Sequence, residues 1–350
     1  YAYTGAPHSS VLLAVIQEFR RKMPACDPQA LGNVSWALAK LAVPNAPMLK
    51  EISREAVRKV DGFDPQGLAN MAWAFAMLQQ EDLPLFDCLG DALAEDPSRW
   101  QPQNMANLLW AYAKMLVTHT RLLDAAAEQT VATMDSWNYQ GLANISWAYA
   151  KLGCAQYQHL FDGIAAAVVQ KISTFTPQNT VNVAWAYAKL GHARADLMDV
   201  IAREVIVKAK DYSPQHCSNA AWAFGTVGIL NESMMQSLAE ASVRCMREFN
   251  AQDLANVAWA CAKLVWAHAD LLGAIARDLR AKVSDLTPHN EAIPAWSFGC
   301  LAVADEPMMA AIAGGCLGRI ADFGPQGLAN LAHGFAKQGI RNEAAMELIA

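Results

Sequence analysis

The chain repeats itself about every 37 residues, and this periodicity limits its possible folds more than any other feature. Each copy opens with Pro-Gln or a variant of it, and the block PQGLANMAWAFAML from Pro65 is typical. Self-similarity at such a period indicates a stack of small structural units rather than one globular domain. The nine copies begin near Pro28, Pro65, Pro102, Tyr139, Pro177, Pro214, Ala251, Pro288 and Pro325.

Each copy begins with signals for the start of a helix. Proline suits the first helical position, because its missing N–H would be unpaired there anyway. In seven of the nine copies the preceding residue is Asp, Asn, Ser or Thr, the best capping side chains; Gln101 and Gly324 are the exceptions. An aromatic residue before the cap and a leucine three positions after the proline, such as Phe63 and Leu68, predict a hydrophobic staple.

Two helices follow in each copy. The first, helix A, runs about 14 residues and is rich in alanine, which permits close helix approach. The second, helix B, carries apolar residues at helical spacing and is predicted over residues 47–60, 119–134, 157–172, 194–209 and 267–283. Neither helix buries its apolar face alone, so neighbouring pairs must stack. The sequence predicts an all-α fold, an α-solenoid (superhelix) of tandem helix-turn-helix repeats.

The domain organisation follows from the same period. We expect residues 1–23 to form the second helix of a preceding repeat, residues 24–341 the nine tandem repeats, and residues 342–350 the truncated start of a last second helix. Polar capping repeats are missing, which favours a stretch of a longer protein. The pair Gly314-Gly315 is predicted to interrupt helix B of the eighth repeat.

Composition narrows the class of protein. The hydrophobic share of 54% is too high for disorder, and no apolar run approaches the roughly 18 residues that span a bilayer, so we expect a soluble protein. The net charge of −6 differs from the basic balance of duplex-binding modules, so a nucleic-acid site must be a local positive stripe. The eight cysteines lack zinc spacing and are interpreted as reduced core residues.

Catalytic motifs give no support to an enzyme. The histidines show no HExxH spacing, and no phosphate-binding glycine loop follows a strand. Acidic residues such as Asp91, Glu95 and Asp96 are interpreted as a solvated face of helix B. We therefore expect no catalytic residues, no metal site and no cofactor.

Four positions of helix A form one stripe. Counted from the proline as zero, positions +1, +5, +8 and +12 step by four, three and four, and they carry Gln, Asn, Trp and Lys. In the fourth repeat these residues are Gln140, Asn144, Trp147 and Lys151.

The tryptophan row is interpreted as core. Tryptophan stacks on bases in single-strand binders, but it also buries a large area between helices, and eight copies among alanines favour a packing role. The row comprises Trp36, Trp73, Trp110, Trp147, Trp185, Trp222, Trp259 and Trp296.

The asparagine row needs a reason, because Asn in mid-helix is unfavourable. A ladder of hydrogen bonds between neighbouring repeats is the favoured interpretation, and contact with a ligand backbone is the alternative. The row comprises Asn33, Asn70, Asn107, Asn144, Asn182, Asn219, Asn256 and Asn330.

The lysine row has two interpretations of equal weight. A lysine near a helix C-terminus complements the macrodipole without any ligand, but a regular positive rail also suits an RNA phosphate backbone. The row comprises Lys40, Lys114, Lys151, Lys189, Lys263 and Lys337.

A protein that distinguishes bases needs a helix position whose residue differs from repeat to repeat. Position +2 varies in this way. A side chain there could read base edges, as in proteins that bind one base per repeat, although small polar residues also suit a first helical turn. The candidate base-reading residues are Asn104, Asn179, His216, Asp253 and Asn290.

The block PQ-x-LAN-x-(A/S)WA-(F/Y)-AKL resembles the octotricopeptide repeat family and is similar to the helical repeats that accompany RAP domains in organelle proteins. The likeness covers residues 24–341 in nine copies. It implies a soluble chloroplast or mitochondrial protein that binds single-stranded RNA, alone or in a ribonucleoprotein, and supports transcript stability, processing or translation. The alternative is a non-catalytic scaffold subunit of a large organelle assembly, such as a divergent ribosome, with protein subunits or structural RNA as partners.

Overall fold

A computed structural model describes residues 9–192 and 194–339, and the described part of the chain contains eighteen α-helices and no strand. In chain order they are α1 (Ser9–Lys22), α2 (Pro28–Lys40), α3 (Ala46–Arg58), α4 (Pro65–Met77), α5 (Leu83–Glu95), α6 (Pro102–Met115), α7 (Thr120–Ala132), α8 (Tyr139–Lys151), α9 (Gln158–Lys171), α10 (Pro177–Leu190), α11 (Ala195–Lys208), α12 (Pro214–Val227), α13 (Glu232–Arg244), α14 (Ala251–Lys263), α15 (Ala269–Arg280), α16 (Pro288–Cys300), α17 (Glu306–Leu317) and α18 (Pro325–Lys337).

The chain divides into two compact units, Tyr1–Ala167 and Val168–Ala350. In the first unit the A helices α2, α4, α6 and α8 pack side by side, and the B helices α3, α5 and α7 form a second layer. The second unit has the same construction, with A helices α10, α12, α14, α16 and α18 and B helices α11, α13, α15 and α17. The predicted all-α solenoid of helical repeats is confirmed.

Each A helix begins at the residue that the sequence marks as its start, and the seven predicted capping side chains accept a hydrogen bond there. The Asp64 carboxylate, for example, accepts from the Gly67 backbone N–H at 2.7 Å. Gln101 and Gly324 make no side-chain cap, as their residue types suggest.

The B helices are shorter than predicted, because a separate 3-10 turn follows most of them. Helix α3 ends at Arg58 and a 3-10 turn covers Val60–Gly62. The next residue, Phe63, is extended at φ −81° and ψ 146° and only 4% exposed. The turn therefore reverses the chain so that the aromatic residue before the cap enters the core.

Small residues set the spacing between neighbouring A helices. A Cβ added to Gly225 would lie 3.0 Å from the Ala260 Cα, and one added to Gly299 would lie 3.0 Å from the Gly334 Cα. Any larger side chain at these positions would push the helices apart. The alanine and glycine content of helix A is thus a packing requirement.

Two kinds of hydrogen bond tie successive repeats together, and the sequence interpretation missed both. Buried tyrosines ten residues into helix A donate to helix B of the preceding repeat; Tyr149 Oη reaches the Leu123 carbonyl oxygen at 2.6 Å. At the end of helix B, a lysine donates to two carbonyl groups of the preceding 3-10 region. Lys59 Nζ contacts the Pro24 and Cys26 oxygens at 2.9 and 2.8 Å.

We call this second contact the lysine clamp. It recurs with the same offsets at two further junctions, where Lys208 Nζ lies 3.1 and 2.6 Å from the Ser173 and Phe175 oxygens. Lys282 Nζ lies 3.1 and 2.6 Å from the Arg247 and Phe249 oxygens. Recurrence of lysine at this repeat position was the sequence signal that could have revealed the clamp.

The predicted interruption at Gly314-Gly315 is wrong, since helix α17 runs through both glycines. Position 315 requires glycine because of the residue that packs against it, Glu291. Glu291 occupies the staple position that usually holds leucine, its side chain is fully buried, and it accepts a hydrogen bond from Arg319 Nη2 at 2.6 Å. A Cβ at position 315 would overlap the Glu291 carboxylate, so glycine makes room for this buried ion pair.

Within the described helices, none has the length and apolar character needed to cross a membrane. The second helix predicted over residues 342–350 lies outside the described residues.

Candidate nucleic-acid interface

The stripe at positions +1, +5, +8 and +12 is the open side of helix A. At 3.6 residues per turn these four positions fall within about 60° of arc. In the fourth repeat Gln140 and Lys151 are exposed and Asn144 and Trp147 are half-buried. Most other positions of the helix are buried against the neighbouring A helices and the B layer. The side chain of His289, at +1 in the eighth repeat, is not described.

The interpretation of the tryptophan row as core is wrong. Trp36 is 45% exposed, and the seven other tryptophans of the row are half-buried at the surface. Alanine and glycine contacts hold the A helices close together, and the indoles pack at the edge of these contacts, on the open side; the Trp259 ring, for example, lies 3.2 Å from a Cβ added to Gly225. The row therefore presents aromatic surface to solvent in both units.

Neighbouring indoles of the row stack on one another. The Trp110 and Trp147 ring centroids are 6.5 Å apart with an interplanar angle of 26° in the first unit. In the second unit Trp222 stacks on both Trp185 and Trp259, with centroids 6.3 Å apart in each case. The rings thus share a common orientation, and their outer edges and faces form an ordered aromatic surface.

The six lysines of the row are all exposed. Across residues 9–192 and 194–339, none of them forms an ion pair with a carboxylate. Two lie over aromatic rings instead: Lys40 Nζ is 5.2 Å from the Trp73 ring centroid, and Lys263 Nζ is 5.9 Å from that of Trp259. Cation–π contacts of this kind hold an ammonium in place without neutralising it.

No stripe position carries an aspartate or glutamate in any repeat. The row is interrupted only by uncharged residues, Met77, Thr226 and Cys300, each of which is exposed. The formal charge of −6 therefore arises elsewhere on the chain, and the stripe itself is positive in each unit.

The asparagine row is half-buried except for Asn33, which is exposed. Its members make two side-chain hydrogen bonds among the described residues. Asn256 Nδ2 donates to Ser218 Oγ of the preceding repeat at 3.4 Å, and Gln326 Nε2 donates to Asn330 Oδ1 at 3.0 Å within one helix. A ladder role for the whole row stays a prediction, and the repeats are linked by tyrosines and lysine clamps.

Position +2 lies beside the buried aromatic residue that precedes the cap. A Cβ on Gly141 would lie 2.8 Å from the Trp137 ring, and one on Gly327 would lie 3.2 Å from the Phe323 ring. The His216 imidazole sits edge-on to the Tyr212 ring, with centroids 5.7 Å apart. The +2 residue therefore lies against this aromatic neighbour.

The five candidate base-reading residues are not equally accessible. Asp253 is 8% exposed and accepts from Asn250 Nδ2 at 2.8 Å, so its carboxylate belongs to the helix cap. Burial raises the pKa of this carboxyl above its ordinary value. His216 is half-buried, accepts from the Ser213 N–H through Nδ1, and has a pKa lowered by burial. Asn104, Asn179 and Asn290 are half-buried at the rim.

A cleft of about 390 Å³ opens between the first two A helices. Its lining includes the stripe residues Gln29, Asn33, Gln66 and Asn70 and also the capping residues Asp27 and Asp64. Amide groups of two successive repeats thus converge on one depression. The arrangement offers hydrogen-bond donors and acceptors, aromatic surface and ammonium groups, which together suit binding of a polyanion that carries flat rings.

Comparison with protein families gives a match. The family model of RNA-editing substrate-binding complex 6 protein matches residues 125–350, well over half of the chain. No curated protein matches the chain. The match indicates an RNA-associated family of helical proteins, and it does not show the octotricopeptide or RAP relationship that the repeat block resembles. On this match the chain belongs to the RNA-editing substrate-binding complex 6 protein family.

Proposed function

We propose that the protein is a non-catalytic subunit of an RNA-editing substrate-binding assembly, and that it holds single-stranded RNA along the helix A stripe. The observation that carries the proposal is the stripe itself, in which partly exposed indoles alternate with lysines free of carboxylate partners in the described chain. Its scaffold role has support from the family, whose name refers to a complex that binds editing substrates.

Each row of the stripe has a chemical counterpart in RNA. The lysines suit phosphates, whose neutralisation releases counterions and makes binding salt-dependent. The solvent-facing parts of the stacked indoles suit aromatic contact with unpaired bases. The Gln and Asn amides suit ribose hydroxyls and phosphate oxygens, as in other sequence-tolerant contacts. Because stacking requires unpaired bases, a single strand fits this surface better than a duplex.

Base preference, if the protein has one, falls to the accessible +2 residues. We propose Asn104, Asn179, Asn290 and the Nε2 edge of His216 for this role. Asp253 is left out because its carboxylate is committed to the cap of α14. Of the two organelles considered, the mitochondrion is the one that the editing family favours.

The binding test removes lysines of the stripe and compares them with matched cations elsewhere. In the test variant Lys114, Lys151 and Lys189 become Ala. In the control variant Lys50, Lys210 and Arg277, which are exposed on helix B or the turn after it, become Ala. Both variants change the net charge by the same amount. Binding of a fluorescent oligouridine is measured by anisotropy between low and physiological salt.

The test variant is expected to bind at least about tenfold more weakly, and the slope of log K against log salt should fall in magnitude by about 2, since each single-strand phosphate contact contributes roughly 0.7. The control should change affinity less than about threefold. Equal losses in both variants would show that only net charge matters and would remove the stripe from the proposal.

The scaffold part of the proposal is tested separately. Purification of the native protein at moderate salt should yield a stoichiometric complex with other proteins, from which nuclease treatment releases RNA. A free monomer that carries only short RNA would contradict the scaffold role and favour a stand-alone RNA-binding protein.

A further inference from the structure

The junction between the first and second repeats lacks a clamp lysine and has a cleft in its place. The second repeat carries Asp96 where the clamp lysines Lys59, Lys208 and Lys282 stand in their own repeats. The carbonyl groups that a lysine at position 96 would contact belong to Asp61 and Phe63. No lysine or arginine of the described chain donates to either oxygen.

The cleft at this junction has a volume of about 410 Å³, and Asp61, Phe63 and Asp96 are among the residues that line it. At the three clamped junctions an ammonium group occupies the corresponding place, at 2.6 to 3.1 Å from two carbonyl oxygens. At three junctions of this protein, a pair of carbonyl groups in this arrangement therefore binds a lysine ammonium group.

The cleft is lined by four carboxylates and by one guanidinium, that of Arg99, so its charge is negative on balance. Asp61 and Glu95 have no ion-pair partner in the described residues, and Asp96 accepts a hydrogen bond from Ser98 Oγ at 2.6 Å. Asp91 is already paired with Arg121 at 2.6 Å. The segment from Glu81 to Asp96 holds six carboxylates and no lysine or arginine. The sequence predicts a solvated acidic face for helix α5. In the structure, part of that face borders a cleft that main-chain carbonyl groups also line.

We infer that the cleft between the first and second repeats is a docking socket for a lysine side chain of a protein partner. The ammonium would lie on the Asp61 and Phe63 carbonyl oxygens, as the clamp lysines do at their junctions, and Asp96 and Glu95 would supply the opposite charge. An exposed surface lysine of a partner fits because its four-carbon stem reaches into a cleft while its head keeps three donors. The socket is on the B side of the first unit, and its residues are separate from those of the stripe.

The substitution Asp96→Lys provides an intramolecular competitor. The new side chain occupies the repeat position of Lys59, on a more extended backbone (ψ 78° at Asp96 against 16° at Lys59), and we expect its long stem to reach the two carbonyl oxygens and close the socket. The matched control is Glu128→Lys on helix α7, which makes the same charge change at a side chain that is 78% exposed. Because a misfolded Asp96→Lys protein would be uninformative, the double variant Asp61→Asn/Glu95→Gln tests the charge alone.

The probe is a short fluorescent peptide of alternating glycine and lysine, and the same peptide with every lysine acetylated is its control. Wild-type protein should bind the first and not the second, with an affinity that falls as salt rises. Asp96→Lys should weaken binding at least about tenfold, the double variant severalfold, and Glu128→Lys less than about twofold. Thermal unfolding of Asp96→Lys should shift upward, because a clamp has been added.

Three results would overturn the inference: no peptide binding by wild-type protein at low salt, equal weakening by Asp96→Lys and Glu128→Lys, or a lowered unfolding temperature for Asp96→Lys with peptide binding unchanged. Oligouridine binding serves as the independent readout. It should be retained in Asp96→Lys, so a failure of the socket leaves the RNA stripe untouched, and loss of RNA binding in the stripe variant leaves the socket untouched.

Discussion

Two adjacent glycines in helix α17 should respond in opposite ways to the same substitution. Gly314 is exposed, and a Cβ added there meets no atom within 4 Å. A Cβ added to Gly315 would lie 2.8 Å from Val283 Cγ1 and would overlap the Glu291 carboxylate. Both glycines belong to the same helix, so the two substitutions differ chiefly in the atoms that the new Cβ would contact.

The magnitudes follow from these contacts. Alanine in place of glycine in a helix interior stabilises by about 0.5–1 kcal/mol, and this gain applies at both sites. At position 315 it is opposed by overpacking, which costs about 1–3 kcal/mol, and by displacement of Glu291 from Arg319. Gly314→Ala should therefore raise the free energy of unfolding by about 0.5–1 kcal/mol, and Gly315→Ala should lower it by about 1–2 kcal/mol.

Urea denaturation followed by circular dichroism measures both values on the intact chain. The variant Glu291→Ala in the Gly315→Ala background removes the obstructing carboxylate, so the double-mutant cycle should show a coupling of about 1 kcal/mol or more. Equal stabilisation by both alanines, or a coupling near zero, would refute the assignment of Gly315 as space for the buried carboxylate.

Three further predictions concern single sites. Burial raises the pKa of the Glu291 carboxyl above its ordinary 4.5, so the folded chain binds the proton more tightly than the unfolded chain. Wild-type protein therefore loses stability as pH rises from 4.5 to the folded-state pKa, and the variant Glu291→Gln does not. The stability advantage of the variant, measured by urea titrations across that range, should grow with pH and level off above the folded-state pKa. Val265 has a φ of +52° where four other repeats have glycine, so Val265→Gly should stabilise by about 1 kcal/mol and Gly228→Val should destabilise by at least as much, in thermal unfolding. Trp222→Ala should weaken oligouridine binding by about 5- to 150-fold, and Trp222→Phe by much less, in the anisotropy assay; equal affinities of the two variants would argue against base stacking.

Local signals in the sequence were sufficient for the helix starts. A cap such as Asp64, the proline after it and the staple residue Phe63 all act within a few residues, and their geometry depends little on the rest of the chain. The stripe was predictable for the same reason, since it follows from helical periodicity alone.

The environment of each stripe residue depended on packing between repeats, which periodicity does not determine. Trp222 was assigned to the core because of its size, yet it is only half-buried, because the A helices approach each other through small residues, as at Gly225 and Ala260, and the indoles pack at the edge of that contact. Gly315 was assigned to a bend because its partner Glu291 lies 24 residues earlier in sequence. The accessibility of Asp253 likewise depended on Asn250 and Ser218, one within the helix turn and one in the preceding repeat.

The uniformity of the stripe has a consequence for any strand held on it. Repeats that present the same four side chains offer equivalent binding sites. A strand displaced by one repeat therefore keeps the contacts of its middle nucleotides and loses only the contact at one end. Within each unit, binding then includes a set of registers of nearly equal energy, which adds a favourable statistical contribution to affinity and permits the strand to shift along the stripe of that unit without full release. The uncharged interruptions at Met77, Thr226 and Cys300 are the places where such slippage should pause.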